Sequence, residues 1–119
     1  MASRMLVIMD DPIVAMDLSQ ILQNCVPDAV IEVADTIDSA IEQSSASLAH
    51  LALAMMPSGH AAANLIAMMR RSVGERLILL SDDDELLDTS ETGKVVILPR
   101  LFTDAMIASA LFTLGVASR

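Results

Sequence analysis

Two adjacent carboxylates, Asp10 and Asp11, follow the apolar run Arg4–Met9, and Pro12 stands directly behind them. A carboxylate in that position can accept the unpaired backbone N–H groups at a helix start. Proline suits the first helical position because it has no N–H to leave unpaired. A denser acidic group comes later, Asp82, Asp83, Asp84 and Glu85, with Asp88 and Glu91. It lacks the spacing and the central glycine of a calcium loop, so it reads as a solvated turn. Its functional alternative is a docking patch for a basic partner. His50 and His60 have no cysteine nearby and do not make a zinc pattern. Ser58 lies outside any Gly-x-Ser-x-Gly setting, and the glycines form no phosphate-cradling loop. The lone Cys25 cannot close an internal disulfide, which points to a reducing, cytoplasmic setting.

These residues punctuate an alternation of short β-rich runs and helical patterns. Strands are predicted at Arg4–Met9, Ala29–Ala34, Leu48–Met56, Leu77–Leu80 and Lys94–Leu98. The third is apolar on nearly every residue, as a strand covered on both faces must be. Val14, Leu18, Ile21, Leu22 and Cys25 recur at helical spacing behind Pro12. Asp35 and Thr36 offer caps for a second helix with Ile37, Ala40 and Ile41 on one face. A third helix is predicted over Ala61–Arg71, a short fourth near Asp84–Thr89, and a last one from the Thr103 cap to about Val116. Strand–helix alternation implies parallel strands with crossover helices on both faces. The expected fold class is α/β: a doubly wound, five-stranded parallel sheet within one domain, residues 1–119.

Composition narrows the partners. The chain has 119 residues, is 54% hydrophobic and carries a formal net charge of −9. That apolar content excludes disorder. The negative surface argues against nucleic acid and against anionic lipid, both of which are bound through Lys and Arg. No signal peptide is read in the sequence, and Ala105–Ser118 is too short for a bilayer span of about 20 residues. Nine methionines accompany only two phenylalanines. Met55, Met56, Met68 and Met69 are read as adaptable core packing, or else as a forgiving protein-binding surface.

In this order the segments resemble the receiver domains of bacterial two-component response regulators. MLVIMDDPIVAMDLSQIL is similar to their opening strand, acidic turn and first helix, and LALAMMPSG to their third strand and loop. LILLSDDD resembles the fourth strand, and VVILPRLFTDAMIASAL the fifth strand and last helix. The resemblance implies a flavodoxin-like (βα)5 fold. It also implies a site where an aspartate after the third strand accepts a phosphoryl group beside a Mg²⁺ held by acids after the first.

Carried over residue by residue, that site is broken. Its positions are Met9, Asp10, Asp11, Leu53, Ala54, Met55, Ser81 and Arg100. Met9 replaces the first acid of the turn, while Asp10 and Asp11 keep the others. The nucleophile falls among Leu53, Ala54 and Met55, and from Gln43 through Gly74 there is no Asp or Glu at all. Ser81 stands at the hydroxyl position. Arg100 replaces the family's lysine with a bulkier, planar cation. Ile97 replaces the strand-five aromatic that follows phosphorylation, and Leu101 follows Arg100 where the family has a cis proline, so a trans bond is expected.

The resemblance therefore implies a phosphorylation-incompetent pseudo-receiver that acts by protein contact and is not an enzyme. No cofactor is expected, with at most weak Mg²⁺ binding at Asp10. The expected partners are a signalling kinase, a phosphotransfer or output protein, or a second copy of the chain. The face expected to make the contact includes Ile97, Met106, Leu111 and Phe112. The alternative is a small-ligand or anion-binding module that uses the vacated pocket.

Overall fold

The computed structural model describes residues 3–55, 62–81 and 94–116. Five strands form one sheet: β1 (Arg4–Ile8), β2 (Val30–Ala34), β3 (Leu51–Met55), β4 (Leu77–Ser81) and β5 (Val95–Pro99). Four helices lie among the described residues: α1 (Pro12–Cys25), α2 (Ile37–Gln43), α3 (Ala62–Ser72) and α4 (Asp104–Thr113). The strand order is β2-β1-β3-β4-β5, and every pairing is parallel. The expected sheet is thus present. The short helix expected near Asp84–Thr89 lies outside the described residues.

The pleat divides the core in two. Met5, Val7, Leu51, Leu53, Ile78, Leu80 and Val96 face one way, against Leu18, Ile21 and Leu22 of α1 and Ile107 and Leu111 of α4. Leu6, Ile8, Ala52, Ala54, Leu77, Leu79, Val95 and Ile97 face the other, against Ala40 of α2 and Met69 of α3. Burial on both faces accounts for the unbroken apolar runs of β3 and β4.

Each helix start with a described cap uses the residue its sequence offers. Asp11 accepts from the Ile13 and Val14 N–H groups at 2.9 and 3.4 Å, with Pro12 in the first turn. Thr36 accepts from Ser39 at 3.1 Å, and Thr103 from Met106 at 3.2 Å.

Most strand boundaries fall within one residue of expectation, and two boundaries move further. The third strand begins at Leu51, not Leu48, because Ala49 instead bridges to Gly74 in the loop that follows α3. The approach there is close: a Cβ on Gly74 would lie 3.1 Å from the Cβ of Ala52. The last helix stops at Thr113 rather than near Val116, because Gly115 takes a left-handed φ of 74°. The Val116 N–H then bonds back to the Leu111 carbonyl at 3.0 Å.

Candidate functional site

In this strand order the crossover direction reverses between β1 and β3. The carboxyl ends of an open parallel sheet form a crevice at such a reversal. Ile8 pairs with Ala54 on one side and Ala34 on the other, so β1 and β2 end level and β3 runs one residue further, to Met55. A shallow cavity of about 340 Å³ opens there, lined by Met9, Asp10, Asp35, Thr36, Ile37 and Met55, with Ile8 at its base.

The structure sorts the expected site residues into different roles. Met9 is buried against the α1 side of the core, so an apolar side chain occupies the place of the first acid. Asp10 is exposed and lines the cavity, whereas Asp11 turns away to cap α1. Leu53 is fully buried in the same core layer as Met9, and Ala54 is buried in the opposite layer. Met55 alone of the three reaches the cavity.

Ser81 is buried at the end of β4. Its carbonyl accepts the Arg100 N–H at 3.0 Å, which ties the turn after β5 to β4. The Arg100–Leu101 bond is trans, as no cis peptide occurs among the described residues. Neither Ser81 nor Arg100 lines the Met9–Met55 cavity. Met56, Ser58 and His60, like the acids from Asp82 to Glu91, lie outside the described residues. His50 serves the fold: its Nδ1 accepts the Arg4 N–H at 2.9 Å.

Asp35 was read from sequence only as a helix cap, yet it brings a second carboxylate to the cavity. The available signal was its place directly after β2, level with Met9 after β1. A divalent cation would need an oxygen shell around this point. Leu53, Ala54 and Met55 offer no side-chain oxygen, and the described residues contain no group of three His, Cys, Asp or Glu side chains able to hold a metal. The described residues do not fit Mg²⁺.

The expected interaction face is also redistributed. Ile97 and Leu111 are buried, in opposite core layers, and Met106 is half-buried. Phe112 is 56% exposed, and Leu101, in the turn after Arg100, is 91% exposed. Ile97 and Leu111 thus belong to the core, and Leu101 and Phe112 are exposed apolar residues.

No protein-family model matches the chain, and no curated protein matches it. Solved structures do. A variant of the anti-anti-sigma factor PhyR from Bartonella quintana superposes with a TM-score of 0.72 at 19% identity, over 96% of this chain and 48% of that one. The PhyR response regulator receiver domain of Erythrobacter litoralis gives 0.67 at 18% identity, over 99% and 94%. The receiver domain of the response regulator NarL from Mycobacterium tuberculosis gives 0.63 at 20% identity, over 93% and 94%. The chain thus spans about half the length of the PhyR protein from B. quintana and nearly all of the isolated receiver domains. With the strand order and these superpositions together, the chain has the fold of a response regulator receiver domain.

Proposed function

We propose that residues 1–119 form one receiver-like unit that signals through phosphorylation-independent protein contact and catalyses no reaction. The observation that carries this reading is the end of β3. Leu53 and Ala54 are buried apolar residues, Met55 faces the cavity, and the segment from Gln43 through Gly74 holds no acid. Aspartyl phosphorylation in a receiver needs a carboxylate nucleophile at the end of the third strand, and that segment carries none. The contact surface is the one presented by Leu101 and Phe112, and a second copy of the chain is its simplest partner. A signalling kinase, phosphotransfer protein or output protein in a cytoplasmic two-component pathway would use the same surface.

A small-ligand reading of the vacated pocket has less support. The cavity there is lined by Asp10 and Asp35, which would repel an anion. The deciding experiment treats the protein with acetyl phosphate, and separately with beryllofluoride, both with Mg²⁺. Intact mass and amide NMR shifts are expected to stay unchanged. A mass gain of one phosphoryl group on an aspartate would overturn the reading.

A further inference from the structure

β2 is an outer strand of the sheet, and among the described residues β1 is its one neighbour. Two bonds show which of its backbone groups face β1. The Val30 N–H donates to the Ser3 carbonyl at 2.7 Å, and the Ala34 carbonyl accepts the Met9 N–H at 2.9 Å. Bonding alternates along a parallel strand, so the groups of Ala29, Ile31 and Val33 point away from the sheet. Those of Ala29 are used within the chain: its N–H donates to the Val26 carbonyl, and its carbonyl accepts from the Gln23 side chain at 3.2 Å. The N–H and C=O groups of Ile31 and Val33 have no partner among the described residues.

Edge strands are ordinarily guarded by a lysine, a proline or a bulge that prevents another strand from adding. β2 has none of these: its register with β1 is unbroken, and Val30–Ala34 contains neither Lys nor Pro. Its one charge, Glu32, is taken by Arg4 at 2.7 Å. The side chains beside the open groups are apolar, with Val30 52% exposed on the α2 side of the sheet and Val33 47% exposed on the α1 side. The reach of Gln23 to Ala29 shows which side of α1 borders β2. Met16 lies on the same stripe of α1, two turns before Gln23, and is also exposed.

Charge decides what this edge would accept. Residues 1–42 hold eight acids and one base, and that base is Arg4. Asp28 and Asp35 bracket β2, and both are exposed, as is Asp38 in the first turn of α2. A second copy of the chain would bring the same acids against this edge. A basic segment would meet opposite charge along its whole length.

We propose that the β2 edge accepts an extended, basic segment of a partner protein as a sixth strand. The open groups of Ile31 and Val33 supply the ladder, Val30 and Val33 contact its apolar side chains, and Asp28 and Asp35 pair with its lysines or arginines. β2 and β5 are opposite edges of the sheet, so this contact is independent of the one at Leu101 and Phe112.

The test is NMR titration of the ¹⁵N-labelled full chain with two capped heptapeptides, one of alternating lysine and valine and one of alternating glutamate and valine. Saturable shifts at the amides of Val30–Ala34 are expected with the lysine peptide alone, with slowed hydrogen exchange at Ile31 and Val33. Val33→Pro removes an outward N–H that the ladder to β1 does not use, so the chain should stay folded while binding falls at least about tenfold. Val33→Lys keeps the backbone intact and adds the charge that guards natural edge strands, and it should weaken binding to a similar degree. Absence of saturable shifts up to about 1 mM lysine peptide, shifts centred on Leu101 and Phe112 instead, equal binding of the glutamate peptide, or unchanged binding by Val33→Lys would each overturn the proposal. Shifts at Val30–Ala34 that follow protein concentration without peptide would assign the edge to a second copy and overturn it as well.

Discussion

A carboxylate introduced at Leu53 would meet neither water nor a cation, because the side chain there is sealed between Val7, Ile78 and the helices α1 and α4. Burying an unpaired carboxylate costs several kcal/mol. Leu53→Asp is therefore expected to lower stability by more than about 3 kcal/mol, read from urea denaturation, and to leave the protein unable to accept a phosphoryl group. Met55 borders the cavity and is half-buried. Met55→Asp should cost less than about 1.5 kcal/mol, so the difference between the two variants reports which of these residues faces the crevice. The missing acid was plain from the sequence, since no choice of register between Gln43 and Gly74 supplies one. The orientation of Leu53, Ala54 and Met55 was not, because it follows from the pairing of β3 with β1. Asp35 belongs to the same class of information. Its carboxylate joins Asp10 only because two parallel strands end level.

At the scale of elements, local chemistry fixes the helix starts and long-range contact fixes several ends. Asp11, Thr36 and Thr103 each cap the helix that their sequence announced. Gly115 decides where α4 stops, since its φ of 74° lies in the left-handed region. Adding a Cβ there has open space but the wrong backbone. Gly115→Ala is expected to cost about 1–2 kcal/mol, measured as a lower denaturation midpoint with an unchanged slope. The periodicity of Met106 through Val116 concealed this stop, because a helical pattern does not reveal the turn that interrupts it. The late start of β3 has a tertiary cause as well. Ala49 is taken by its bridge to Gly74, and the His50 N–H is taken by the Arg4 carbonyl at 2.8 Å. Residues that read as one apolar run thus serve two partners before the ladder begins.

For the molecule as a whole, the sheet order turns the charge pattern into an arrangement in space. Acids gather at the carboxyl ends of β1 and β2, where Asp10 and Asp35 line one cavity. The acid-free segment of the sequence carries Arg70 and Arg71 in the last turn of α3. Leu101 and Phe112 give the β5–α4 side exposed apolar surface suited to a second copy. Light scattering at high micromolar concentration should return a dimer mass. Leu101→Glu and Phe112→Glu are each expected to shift it to the monomer without loss of stability. Met16→Glu, on the exposed face of α1, should leave the mass unchanged, and a monomer for the unaltered chain would exclude the homodimer. The sequence by itself determined a parallel α/β sheet, through its alternation of apolar runs and capped helices, and a stretch from Gln43 through Gly74 without an acid, because strand identity and acid content are local properties of the chain. Tertiary structure alone decided that Met9 packs inward while Asp10 and Asp35 line one cavity, and that Ile97 and Leu111 are buried in opposite core layers while Leu101 and Phe112 stay exposed. Which side of a strand faces a neighbour, and which loops meet, depend on register and on the packing of elements distant in sequence.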